Sequence, residues 1–131
     1  MKDTLDLVLK EKWYRMIESC EKTEEYREIK PYWIKRMLEQ IDEMGRCYYK
    51  AEDFDDDYDN FWLQFIIPTD VRAGLVKFKD FDKVTFHLGY SKDRPSMTFA
   101  IKEIVCDEGK EEWGALTGET YFVIRLGKRL S

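Results

Sequence analysis

Leu5, Leu7 and Leu9 alternate with polar Asp6 and Lys10, a period of two that predicts a half-buried first strand. Val8 interrupts the alternation, so both faces of that strand are expected to be partly covered. The period then lengthens. Trp13, Met16, Ile17 and Cys20 fall at i, i+3, i+4 and i+7, which predicts a short amphipathic helix over residues 12–19. Glu21, Lys22 and Thr23 read as a turn, and residues 24–29 as a strand with Glu25 and Arg27 on one face and Tyr26 on the other. Pro31 suits the first turn of a helix, Ile34, Met37, Leu38 and Ile41 form its apolar stripe, and Gly45 stands past its end. A helix is therefore expected over 31–44. Residues 61–67 are almost wholly apolar, and periodicity leaves strand and helix open for so short a run. Pro68 is expected to end it, and 69–78 to be a short helix or an irregular crossing.

The last third is strand-like. Val84, Phe86 and Leu88 alternate with Thr85 and His87, and Gly89 with residues 91–95 makes a loop. Met97, Phe99 and Ile101 alternate again, but Ile104 and Cys106 fall out of phase, so a bulge is expected near Lys102 and Glu103. A polar loop over 107–118 carries Trp113, and Phe122, Ile124 and Leu126 mark a final strand. Strands gathered after early helices predict an α+β fold, and strands this short and numerous are expected to close into a small barrel. No internal repeat and no linker interrupts the 131 residues, so one domain over 1–131 is expected.

Composition narrows the function. The chain is 44% apolar and 15% aromatic, which argues against disorder. Three cysteines, Cys20, Cys47 and Cys106, are odd in number and widely spaced. They fit neither a disulfide framework nor a metal knuckle, and with one histidine no zinc set is expected. Residues 1–9 carry Lys2, Asp3 and Asp6 and do not read as a leader, and no apolar run approaches membrane length. A cytoplasmic protein without cofactor, metal or membrane association is expected. The net charge is −5, and all of it arises in residues 51–83, where nine acidic groups face four basic ones. The flanking segments are neutral, so a local anion site is compatible with the acidic total.

Residues 19–27, SCEKTEEYR, resemble the signature of ASCH domains: glycine, any residue, lysine, two of any, glutamate or threonine, any, arginine. Later segments resemble the bacterial and phage members of that family: FHLGY at 86–90, PSMT at 95–98, EWGA at 112–115 and YFVIRLG at 121–127. The resemblance covers roughly the first 45 and the last 50 residues and leaves an acidic and aromatic insertion at about 51–83. It implies a PUA-like β-barrel with flanking helices and a cleft lined by the signature residues. It also implies an RNA-related role, with amide hydrolysis of N4-acetylcytidine in some members and ribonuclease activity in others. Two positions depart from the pattern. Cys20 stands where the signature has glycine, and Glu25 where the amidohydrolase members have threonine. The second departure predicts weak or no acetylcytidine hydrolysis.

On this basis Lys22, Glu25 and Arg27 are expected to converge on one ligand cleft. Lys22 would fix a phosphate or carbonyl oxygen, Glu25 would accept a base amino group or a proton, and Arg27 would grip a phosphate or neutralise Glu25. Lys22 and Glu25 are the candidate catalytic pair. His87, on the polar side of its strand, and Tyr90 and Arg94, in the loop beyond it, are further candidate ligand-binding residues. The tryptophans read as packing residues, with Trp113 the best exception. RNA or a nucleotide or nucleoside is the expected partner, and the acidic run 52–59 is a candidate protein-docking surface.

Overall fold

A computed structural model describes residues 3–39 and 63–131. The expectations for 40–62, including the acidic run 52–59, lie outside the described residues. The fold is α+β. Strand β1 (Asp3–Leu9) leads into helix α1 (Glu11–Glu18), strand β2 (Glu24–Glu28), helix α2 (Pro31–Met37) and a short strand β3 (Leu38–Glu39). Helix α3 (Leu63–Arg72) precedes β4 (Lys77–Phe78), β5 (Phe81–Leu88), β6 (Ser96–Glu108), a 3₁₀ turn at Glu111–Trp113 and β7 (Thr120–Arg129). Five strands form one sheet in the order β1-β5-β6-β7-β2, and β3 pairs with β4.

The chain divides into two compact units. The first comprises Met1–Glu25, Asp80–Ile104 and Ile124–Ser131, and the second Tyr26–Lys79 and Val105–Val123. In the first unit β1 runs parallel to β5, from Thr4 opposite Lys83 to Leu9 opposite Leu88, with a register shift after Asp3. β5 runs antiparallel to β6, with Val84 opposite Phe99 and His87 opposite Ser96. The alternation read from the sequence is the alternation of burial: Leu5, Leu7, Leu9, Val84, Phe86, Met97 and Phe99 are buried and their neighbours are more open. Phe86 and Phe99 meet at an angle, centroids 6.1 Å apart, a geometry favoured by the ring quadrupoles.

Helix α1 forms where expected and buries part of the predicted stripe, Ile17, together with Tyr14. Tyr14 and Ile17 are its buried residues, Trp13 and Met16 are half-buried, and Cys20 is exposed. Two turns of helix cover only a narrow face, so the buried residues sit three apart and Trp13 and Met16 lie on its flank. The helix ends at Glu18 with Ser19 as its cap, and Cys20 just beyond takes the left-handed conformation (φ 66°) that a glycine adopts freely. Its N–H bonds to the Ile17 carbonyl, and the Lys22 N–H returns to Met16 at 2.9 Å.

The second unit is built on Ile29, Ile34, Met37, Leu38, Leu63, Ile67 and Phe122, all buried. Helix α2 starts at Pro31 as expected but stops at Met37, short of the predicted 44. Leu38 is extended (φ −112°, ψ 142°) and pairs with Phe78, while the Lys79 N–H takes the Met37 carbonyl. Adjacent burial of Met37 and Leu38 serves a strand as well as a helix, and the pairing with β4 decides the outcome. Pro68 ends the apolar run but not the element: α3 continues through it to Arg72. Proline leaves Gln64 without its usual i+4 donor, yet the ring is buried beside Ile67 in sequence, and the Thr69 hydroxyl donates to the Phe65 carbonyl at 2.7 Å. Residues 63–67 are only partly buried, because a helix turns Phe65 and Ile66 outward, 61% and 40% exposed.

Strand β6 is unbroken over 13 residues, and burial changes phase across the consecutive exposed residues Lys102 and Glu103. Near its end, Gly109 accommodates a close approach: a Cβ there would lie 2.6 Å from the Ala115 Cβ and 2.8 Å from the Tyr26 ring.

Candidate functional site

The turn between α1 and β2 sets the site. The left-handed Cys20 reverses the chain, so that Lys22 points inward rather than into solvent. Lys22 is 2% exposed and Glu25 5%, and they are the buried charged residues among those described. The Lys22 ammonium donates to Glu25 Oε1 at 2.7 Å. The same ammonium lies 4.6 Å from the centre of the Trp13 ring, and the Lys12 ammonium lies 4.7 Å from it. Lys22, whose segment reads as a turn in the sequence, is therefore part of the buried interior. Burying a charge pair away from water carries a desolvation penalty that a salt bridge often fails to recover.

Glu24, next to Glu25 in sequence, bonds to Arg125 of β7, which spans two carboxylates, with Nε 2.9 Å from Glu24 Oε2 and Nη1 2.8 Å from Glu103 Oε1. This clamp joins β2, β6 and β7 within the first unit. Nothing in the local spacing announced it, since the three residues stand far apart in sequence.

The remaining candidates fall into separate settings. Arg27 belongs to the second unit, where its guanidinium lies 5.0 Å over the Trp33 ring. Arg36 stands over the same ring at 5.8 Å and donates to the Tyr32 hydroxyl. His87 Nε2 is 2.9 Å from Asp6 Oδ1. Arg94 donates to the Gly89 carbonyl at 3.1 Å and so braces its own loop. Tyr90 is 86% exposed. His87 and Arg94 thus bond to Asp6 and Gly89, not to the Lys22–Glu25 pair. Sequence reasoning missed Trp13, taken for a packing residue, and Asp6, whose approach to His87 depends on the parallel pairing of β1 with β5. Trp113, the candidate exception among the tryptophans, is buried, with Lys110 Nζ 4.3 Å from its ring.

Other groups are perturbed by their surroundings. Burial pushes the Cys106 thiol up to about 12, and the Arg72 guanidinium only partly offsets this. Burial also raises Tyr14 and Tyr121; Glu18 adds to the first, and a bond from Tyr121 to Glu119 adds to the second. Among the described residues, no three His, Cys, Asp or Glu side chains gather as a metal site. Among the same residues, no helix is long and apolar enough to cross a membrane.

Comparison of the chain with protein-family models, curated proteins and solved structures finds no match.

Proposed function

We propose that this chain is an ASCH-type, PUA-like domain that recognises a nucleotide or an RNA element, with the Lys22–Glu25 pair at the centre of its ligand site. The observation that carries the reading is the pair itself: a 2.7 Å ion pair, nine-tenths buried, at the positions the signature resemblance singles out. Replacing a buried pair by apolar groups of similar volume is often neutral or stabilising, which supports a role for the pair beyond stability. A paired ammonium and carboxylate are together neutral. They complement a donor–acceptor edge, such as the amide-like edge of a pyrimidine, better than an isolated phosphate. The five-stranded sheet with its helices is compatible with a PUA-like barrel. His87, Tyr90 and Arg94 are proposed as outer contacts.

A second reading is favoured by the burial. Side-chain exposures of 2% and 6% also suit an ion pair that only orders the turn. An enzymatic variant of the first reading, hydrolysis of a modified nucleoside amide with Lys22 and Glu25 as acid and base, rests on the same residues. A partner protein docking on residues 52–59 is a separate reading, tested by deleting that run.

A panel of nucleosides, nucleoside monophosphates and N4-acetylcytidine, followed by thermal shift and by acetate release, tests these readings together. Stabilisation by a pyrimidine nucleoside or nucleotide without turnover is the expected result. Acetate release would move the assignment to the amidohydrolase, and no response to any member would leave the pair with its structural role.

A further inference from the structure

Trp13 is the third member of the Lys22–Glu25 cluster, and no reading of the sequence assigned it a role there. It lies on the half-buried flank of α1, while Tyr14 and Ile17 supply the helix's buried contacts. Its ring centre is 4.6 Å from the Lys22 ammonium, which also touches Glu25 Oε1 at 2.7 Å. Two different attractions thus act on one buried cation. The carboxylate neutralises it, and the negative face of the indole draws on its charge without supplying a counter-ion. Lys12, over the same ring at 4.7 Å, is exposed.

We propose that Trp13 is a positioning residue of this site: its indole holds the Lys22 ammonium in the place from which it donates to a ligand. The proposal rests on the reading of the pair as a ligand site, and it deepens that reading by naming what fixes the donor. Attraction to a ring face depends on the electron density of the ring, whereas packing depends on its size and shape. Fluorine substituents on the indole withdraw density with little change of shape, so a fluorinated series separates the two contributions.

The test installs tryptophan with one, two or three ring fluorines at position 13 alone, by stop-codon suppression, beside Trp13→Phe and Trp13→Leu. Acylation of Lys22 by acetic anhydride, followed by mass spectrometry in the absence of any nucleotide, reads how firmly the amine is held. Each fluorine should speed acylation. Trp13→Leu should react roughly three- to tenfold faster than the parent, with Trp13→Phe between them. Equal rates across the fluorinated series would overturn the proposal, whether or not Trp13→Leu folds. A parallel titration with cytidine monophosphate separates the two claims. A graded acylation series without binding would retain the hold on Lys22 and overturn the ligand reading. Binding with a flat series would do the reverse.

Discussion

At the scale of single residues, Cys20 shows how a departure from a pattern becomes a physical statement. The signature position holds glycine, and the backbone here has φ 66°, a region that disfavours side chains by about 1–2 kcal/mol. Cys20→Gly should therefore stabilise the protein by roughly 0.5–1 kcal/mol after the extra chain entropy of glycine is subtracted. Urea unfolding checks this, and a loss of stability would show that the turn does not carry the strain. Cys106 behaves differently. Its thiol, buried in the second unit, is raised from 9.0 to about 12. In the unfolded chain it ionises first, so the stability it contributes is complete below pH 9 and is lost as pH rises from 9 to 12. The largest slope from one such group is about 1.4 kcal/mol per pH unit. Between pH 9 and pH 10, wild-type stability should fall more steeply than that of Cys106→Ala; parallel curves would contradict the assignment.

At the scale of elements, the strands were the legible part. Period-two alternation at Leu5, Leu7 and Leu9, and at Val84, Phe86, Met97 and Phe99, is a direct record of one buried face. The helices were legible in existence but not in extent. Met37 and Leu38 satisfy a helical stripe on paper, yet the backbone of Leu38 is claimed by Phe78, 40 positions along the chain, and no local signal encodes that pairing. The same limit hid Asp6 from His87 and Arg125 from Glu24 and Glu103. Lys22 and Glu25 were singled out by the resemblance at residues 19–27, but their bond to each other was not expected, since the strand pattern set Arg27 against Glu25. Helix α3 supplies a check on this account of burial. Ile67→Ala should cost about 2–5 kcal/mol, because Ile67 is fully buried. Phe65→Ser, at a position 61% exposed, should change stability by less than about 1 kcal/mol. Comparable losses at both positions would mean that the outward face of α3 is covered. The Arg125 clamp should behave as a partly exposed network: with Arg125 32% exposed, Arg125→Met is expected to cost about 1 kcal/mol, less at high salt.

At the scale of the whole molecule, the question is whether a buried ion pair serves the fold or a ligand. Removing one partner does not answer it. Lys22→Ala leaves the Glu25 carboxylate buried without its 2.7 Å partner, and an uncompensated buried charge costs about 3–5 kcal/mol. Unfolding of that variant would follow on either account. Replacing both members by apolar groups of similar size removes the chemistry and keeps the packing. The most direct measurement is therefore a calorimetric titration of cytidine monophosphate into the wild type and into Lys22→Met/Glu25→Leu, with thermal unfolding of both proteins alongside. The account predicts a double variant at least as stable as the parent that no longer binds. A double variant that binds with unchanged affinity, or a wild type that does not bind, would contradict it.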